Sequence, residues 1–481
     1  MKHMALDLQV CSRARLSRDP RFDGKFFIGV RSTKIYCRPI CPVPTVKEKN
    51  VLYFPTAAAA AESGFRPCLR CRPESSPGTP AWSGTSTTVS RALRLIDETG
   101  LEDCGMERLA DRLGVSSRHL RRLFIRHLGA SPSSVAKTRR LHFAKRLIDE
   151  TRLPMTDIAL ASGFGCVRRF NAVVRKTYNR TPTQIRRLIH QKTLQPKDRY
   201  RFSLGFRPPY HWKGILAFLA ERAIPGVEAV DEQSYRRTIS MNGSDGYFEV
   251  SLDHTRDAVA VSVQIADPRL LYLIIERIRS MFDLNADWSV IAESLGADPA
   301  LTSRIRSEPG LRVPGCWNGF ELTVRAILGQ EITLKRATML AGRIAESYGK
   351  PIYNAEDLTH LFPTPEVLAD VKIVDLGLTE EDAEKIRALA RAARDGSISF
   401  ERIVDSNAFL ARLREIPGID RWTEQYIAMR AFGDPDAFPT SDVGLRRALG
   451  LGTPVDLEIR AESWRPWRSY ASMYLWNAEK Y

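Results

Sequence analysis

Four cysteines form two close pairs, Cys37-x-x-x-Cys41 in IYCRPIC and Cys68-x-x-Cys71 in RPCLRCRP. Each short loop lets both sulfurs reach one ion, so two such pairs suggest a tetrahedral zinc site. A small domain also needs the metal to compensate for a meagre core. By spacing alone two roles stay open. Most such sites are structural clips. A thiolate that zinc keeps deprotonated at neutral pH is also a nucleophile. The second group that could do chemistry is a carboxylate, Asp442 in FPTSDVGL, twenty-four residues beyond Gly418 of the turn Ile416-Pro417-Gly418-Ile419. From the residues alone it could cap the helix that starts at Val443, as could Thr440 or Ser441.

The elements that must position these groups follow from composition and periodicity. The chain has 481 residues, 43% hydrophobic and 27% charged, with a net charge of +16. That is ordinary globular composition, long enough for roughly three domains. The cationic excess favours nucleic acid or an anionic surface as partner. No apolar run approaches the ~20 residues that span a bilayer, and the N-terminus MKHMALDLQVCSRARLSRD has no secretion-signal core. A cytoplasmic protein with reduced thiols is expected, with no membrane partner. Residues 74–88 and 195–200 read as linkers. The segments RFSLGF, RRTISM, YFEVSL and AVAVSVQI alternate as antiparallel strands, and an apolar helix, PRLLYLIIERIRSMF, follows them. From Asp287 onward the chain reads as helix broken by Pro-Gly turns.

Residues 106–128, MERLADRLGVSSRHLRRLFIRHL, read as a helix, a turn at Gly114 and a second helix capped by Ser116 or Ser117. Ala110, Leu113, Leu120 and Phe124 would pack the pair. Arg118, His119, Arg121 and Arg122 would face outward. Residues 155–177 repeat the pattern with a turn at Gly163–Gly165 and with Arg168, Arg169 and Asn171 on the second helix. An Arg-rich helix usually marks a solvated face, but tandem units resemble the AraC-type DNA-binding domain over nearly its whole length, down to the ending TPTQIRR. Arg and Asn suit guanine and adenine edges, and two recognition helices imply a bipartite site on successive turns of double-stranded DNA.

Residues 32–74, STKIYCRPIC…GFRPCLRCRPE, resemble the N-terminal domain of the Ada methyl-transfer proteins, with a dense match over about residues 6–74. The resemblance implies that Cys37, Cys41, Cys68 and Cys71 bind one zinc ion. It also implies that Cys37 accepts a methyl group from a methylphosphotriester, once per molecule. The Pro-Cys-His-Arg acceptor motif of the prototype's second half is absent from the sequence. Cys11, Cys104, Cys166 and Cys316 read as small apolar residues.

The stretch LREIPGIDRWTEQYIAMRAFGDPDAFPTSD resembles the helix-hairpin-helix DNA glycosylases, with Asp420 where the hairpin usually carries a second glycine. FRPPYHWKGILAFLAERAI, PGLRVPGCWNGFELTVRAILGQ and RPWRSYASMYLW narrow the resemblance to the AlkA-type 3-methyladenine glycosylases over about residues 200–481. It implies that Asp442 is the essential carboxylate and that Pro417 and Gly418 approach a DNA phosphate at a helix N-terminus. It makes Trp422, Tyr426 and Trp476 candidates for stacking on a cationic alkylated base, with Tyr210 and Trp212 as further ones; the plainer role for each is core packing. Val313 takes the place of the family's leucine wedge. Strand-cutting relatives carry Lys where Trp422 stands, so no Schiff base forms there and a monofunctional, water-using enzyme is expected. No cysteine follows Cys316, so the iron–sulfur cluster of some relatives is not expected.

The fold expected is multidomain and predominantly α: a small zinc-bound α+β domain at 1–75, an all-α double helix-turn-helix domain at 85–190, an α+β antiparallel-sheet domain at 197–286, and an all-α helix-hairpin-helix domain at 287–481. The expected function is an adaptive response to alkylation damage. Alkylated DNA, promoter DNA and RNA polymerase are the expected partners of a monomer. The rival is a transcription regulator whose C-terminal half is a catalytically dead DNA-binding relic.

Overall fold

Apolar residues spaced two apart build the cysteine-rich region around a small sheet. The structure, a computed structural model, describes residues 7–77, 87–98, 105–188, 199–353, 357–400 and 406–478. Cys104 and parts of both linkers lie outside them. The chain divides into two compact units, one of Met1–Pro208 with Asp253–Glu276, the other of Pro209–Leu252 with Arg277–Tyr481.

In the first unit, strands β1 (Phe27–Val30), β2 (Ile35–Cys37), β3 (Val51–Phe54) and β4 (Arg66–Pro67) lie in the order β3-β1-β2-β4. Phe26 and Ile28 join Cys11, Ala14 and Val51 in one core; Phe27 and Tyr36 join Ala60 and Phe65 in another. This is the two-residue alternation of a sheet with both faces covered. Strands β2 and β4 run parallel, with Ile35 opposite Arg66 and Tyr36 opposite Pro67. Cys37 and Cys68 therefore follow side by side at the ends of neighbouring strands. The two cysteine pairs meet by register, although twenty-six residues of chain separate them.

Helices then run in the expected order: Met106–Arg112, Ser117–Leu128, Pro132–Glu150, Met155–Ala161, Val167–Tyr178 and Pro182–Arg187. Gly114 and Gly163 take positive φ at the two turns, +66° and +69°, where a Cβ would be strained. Ser116 caps the first recognition helix by accepting from His119 N–H. The second is capped by the sulfur of Cys166, which is exposed, so this cysteine serves a helix end and not a core. Thr181 and Gln184 form a reciprocal capping box at TPTQIRR. The connecting helix Pro132–Glu150 is tied to the cysteine-rich sheet by Arg72 to Asp149 (3.0 Å) and Glu150 (2.9 Å), by Lys145 to Glu74, and by Tyr36 Oη with His142 Nε2 at 2.8 Å.

The antiparallel strands are shared between the units. In the first, β5 (Arg199–Gly205) pairs with β9 (Ala258–Ile265). In the second, β6 (Glu228–Val230), β7 (Ser234–Met241) and β8 (Ser244–Asp253) form a meander. An Asn242–Gly243 turn, both residues at positive φ, closes the β7–β8 hairpin, which is what a two-residue hairpin demands. The remainder of the second unit is helical. Its site-forming helices are Gly319–Leu328, Arg421–Ala431, Val443–Leu449 and Arg468–Ala478. The architecture is the multidomain, mostly helical one expected; periodicity singled out neither short β6 nor the strands β1–β4 of the cysteine-rich sheet. Among the described residues no helix is long and apolar enough to cross a membrane.

Candidate functional site

The ligand atoms of Cys37, Cys41, Cys68 and Cys71 all lie within 4.8 Å of one another, and all four residues are buried. So many thiols in so small a space cannot all ionise unaided. Hydrogen bonding to Cys41 and then to Cys68 pushes the Cys37 thiol up, and Cys37, then Cys41 and Cys68, does the same to Cys71. Cys41 and Cys68 are pushed down, each chiefly by the hydrogen bond from Cys37. A divalent cation relieves that competition, and four sulfurs at tetrahedral reach form a donor set for zinc. Arg38 follows Cys37 but is occupied: its guanidinium pairs with Asp23 (Nε–Oδ1 2.9 Å) and donates to the Cys71 carbonyl at 3.1 Å. Arg70, by contrast, is exposed.

On the recognition helices Arg118, Arg121, Arg122, Arg168, Arg169 and Asn171 are exposed. His119 is half-buried and accepts from Arg122 at 3.0 Å. Leu120, Phe124, Phe170 and Val174 are wholly buried on the opposite faces. The 3.6-residue period thus separates a packed side from a cationic one.

In the second unit Asp442 is the N-cap of helix Val443–Leu449, its Oδ1 accepting from Leu445 N–H at 2.8 Å. That capping role does not exhaust the carboxylate. Trp422 Nε1 donates to Oδ2 at 2.8 Å and Trp476 Nε1 donates to Oδ1 at 3.1 Å. Trp422 stacks on Tyr426, ring centroids 4.8 Å apart and planes 15° apart, and Trp476 meets Tyr426 edge-on at 6.5 Å. Two of the five aromatic candidates therefore bond one carboxylate, and a third, Tyr426, packs against both of them. Tyr210 and Trp212 belong to another cluster. Tyr210 donates to the Phe282 carbonyl at 2.6 Å and lies under Arg312; Trp212 stacks on Phe282 and donates to the Gln233 carbonyl.

Pro417 is exposed, and Gly418 takes φ +87°. The Gly418 carbonyl accepts from Gln330 Nε2 at 2.7 Å, and the same nitrogen reaches Thr423 Oγ1. Asp420 is the N-cap of helix Arg421–Ala431 and takes the Thr423 N–H at 2.7 Å. Its carboxylate is thus turned into the helix end. Val313 is packed, 7% exposed, with its N–H directed to Asp283 Oδ2 at 3.4 Å.

The sequence reading passed over Arg430. Its Nη1 donates to Tyr426 Oη at 2.5 Å while its other nitrogens hold the Pro314 and Gly315 carbonyls. The i,i+4 spacing from Tyr426 was the available signal. Burial would raise the Tyr426 phenol, but the guanidiniums of Arg430, Arg222 and Arg325 outweigh it and hold the group below its ordinary value.

Family comparisons agree with this layout. Residues 10–74 match the metal binding domain of Ada, residues 109–188 a helix-turn-helix domain, and residues 201–318 the AlkA N-terminal domain. A protein of Mycobacterium tuberculosis described as "Probable bifunctional transcriptional activator/DNA repair enzyme AlkA" is 40% identical over 98% of this chain and 96% of its own length. DNA-3-methyladenine glycosylase 2 of Escherichia coli is 32% identical over 58% of this chain and 97% of its own. Among solved structures, the 3-methyladenine DNA glycosylase of Archaeoglobus fulgidus shares the fold, with TM-score 0.52 and 19% identity over 58% of this chain and 98% of that one. The four-sulfur donor set and the Ada match together assign one zinc ion per chain to Cys37, Cys41, Cys68 and Cys71. The chain belongs to the family of bifunctional transcriptional activator/DNA repair enzymes in which an Ada-type metal-binding domain and a helix-turn-helix module are joined to an AlkA-type glycosylase.

Proposed function

We propose that this protein senses and repairs alkylated double-stranded DNA with two chemistries in one chain. The observation that carries the reading is the Asp442 carboxylate, held by two indole N–H groups beside the Trp422–Tyr426 stack. An ionised carboxylate offers about four acceptor sites. Three are taken by Leu445, Trp422 and Trp476, which leaves one for a water or for the charge that develops on the sugar. A base flipped out of the duplex stacks on the aromatic rings. As the C1′–N bond breaks, the base leaves with the bonding pair, and the nearby negative charge stabilises the oxocarbenium-like sugar. Water adds to C1′, and Asp442 takes its proton. With Trp422 in place of an amine, the product is an intact abasic site. The alternative of a catalytically dead relic predicts no reason for two tryptophans to point at one aspartate.

At the other end of the chain, Cys37 Sγ attacks the methyl carbon of a methylphosphotriester. The S–C bond forms, the C–O bond breaks, and the phosphate leaves as an anionic diester. Zinc, when bound, keeps the sulfur deprotonated. The recognition-helix residues Arg118, His119, Arg121, Arg122, Arg168, Arg169 and Asn171 bind promoter DNA, Pro417 and Gly418 bind a phosphate of damaged DNA, and the loop of Val313 meets the minor groove beside the flipped base, where the short, packed valine fills the gap less well than the family's leucine. Methylated protein then recruits RNA polymerase as a cytoplasmic monomer. The functional boundaries are 1–75, 85–190, 197–286 and 287–481. Incubation of the purified chain with DNA carrying labelled 3-methyladenine tests the reading: release of free base and an intact abasic site are expected, and no release from any alkylated base would refute it.

A further inference from the structure

Arg430 is 5% exposed, on the helix that carries Trp422 and Tyr426. Burying a guanidinium is costly, and such a group usually meets a carboxylate. The three acceptors of Arg430 are all formally neutral: Tyr426 Oη at 2.5 Å, the Pro314 carbonyl on Nε, and the Gly315 carbonyl on Nη2 at 2.9 Å. Its guanidinium carbon also lies 4.8 Å from the centroid of the Phe218 ring and 5.4 Å from that of Tyr426. The carboxylates of the same charged cluster, Glu228 and Glu321, pair with Arg237 and Arg325 instead.

The Pro314–Gly315 backbone belongs to the loop that presents Val313. Its far side is pressed against the end of helix Leu271–Met281. Gly315 N–H donates to the Met281 carbonyl at 2.8 Å, and a Cβ on Gly315 would meet the Ser280 carbonyl oxygen at 2.9 Å. This loop therefore has little freedom except through the groups that grip it. One of those grips, Arg430, also holds the hydroxyl of the stacking tyrosine.

We infer that Arg430 is a positioning residue that couples the base pocket at Tyr426 to the DNA-wedging loop at Val313–Gly315. One planar fork with fixed N–H directions sets the distance between them, which a single lysine ammonium cannot reproduce. A flipped base that presses on Tyr426 and a duplex that loads the loop then act on the same guanidinium. Extrusion of the base and its capture are thereby linked. This rests on the glycosylase reading above.

The test is single-turnover excision of 3-methyladenine by the full chain from two DNAs, with the lesion either paired in a stable duplex or in a one-nucleotide bulge that needs little extrusion. 2-Aminopurine beside the lesion reports unstacking. For Arg430→Lys we expect roughly tenfold or greater loss on the paired lesion, against less than about threefold on the bulge, with a matching loss of 2-aminopurine signal. Tyr426→Phe, which deletes only the hydroxyl, should show the same selectivity in weaker form even if Arg430→Lys misfolds. Equal losses on both DNAs, or Tyr426→Phe with no selectivity, would overturn the coupling while leaving the glycosylase reading intact. A wild-type chain that neither excises nor unstacks would sink both.

Discussion

Trp422 Nε1 donates a hydrogen bond to Asp442 Oδ2 over 2.8 Å, from one helix to the cap of another. Trp476 supplies a second such bond to the other oxygen. The carboxylate is thus oriented before any substrate arrives, and pre-orientation is what electrostatic stabilisation of a cationic transition state needs. Asp442→Asn should reduce 3-methyladenine release at least about a hundredfold while abasic-analogue DNA is still bound. Trp476→Phe keeps an aromatic ring but loses one charge-assisted bond, for a loss of about tenfold. Single-turnover release assays with parallel binding titrations check both.

Asp420 spends its carboxylate on the Thr423 N–H at the hairpin, a donor that glycine would leave free for a phosphate oxygen. Asp420→Gly should therefore bind undamaged duplex severalfold more tightly at low salt, with the gain shrinking as salt rises. Cap loss to glycine should cost only a few tenths of a kcal/mol. Unchanged affinity would mean that the hairpin N-terminus does not meet DNA.

Zinc should be found at one ion per chain by elemental analysis. Cys41→Ala, Cys68→Ala or Cys71→Ala leaves three sulfurs, and the metal should be lost together with the cooperative folding of the cysteine-rich sheet. A metal-free variant with its N-terminal region still protected from protease would contradict this.

Four thiolates around one divalent ion carry a net charge of −2, and methylation of Cys37 to a neutral thioether leaves −1. At about 5 Å from a phosphate, with effective dielectric 20–80, removing one repulsion is worth roughly 1–3 kcal/mol, about fivefold to somewhat over a hundredfold in affinity. Arg38 is engaged by Asp23, so among the nearby arginines the exposed Arg70 is the better placed to add a phosphate contact. Promoter titration before and after reaction with methylphosphotriester DNA should show the gain at low salt and its loss at high salt. Equal affinities would separate repair from signalling.

Burial pushes the Asp283 carboxyl up to about 6, against the opposing influence of Arg312 and of hydrogen bonds from Tyr470 and the Val313 N–H. The folded chain keeps a proton that the unfolded chain releases near 3.9. The associated stability is full below that value and lost as pH rises through about 6. Asp283→Asn removes the titration. Wild-type stability should accordingly fall relative to the variant by up to about 3 kcal/mol between pH 4 and 8. Denaturant unfolding followed by tryptophan fluorescence reads this, since of the eight tryptophans all but Trp82 belong to the second unit. A pH-independent difference would place the proton elsewhere.

Short-range pattern was enough to read much of this protein. Cysteine spacing, the apolar period of Ala110, Leu113, Leu120 and Phe124, the glycine at each helix-turn-helix turn, and the Pro417–Gly418 hairpin are all local signals. Their geometry depends on a few neighbouring dihedrals. Asp442 stood out only through the resemblance to the glycosylases, whereas its capping role was legible from the helix that begins after it. The tertiary structure alone decided where side chains point. It turned the Trp422 and Trp476 indoles toward Asp442 and set Tyr210 and Trp212 in another cluster. It gave Arg38 to Asp23, turned Asp420 into its own helix, and spread Arg430 over Tyr426 and the Val313 loop. The physical reason is that a side chain's partners depend on its rotamer and on segments brought beside it by packing, often more than a hundred residues away. Arg430 reaches Gly315 across 115 residues, a separation at which local periodicity carries no information.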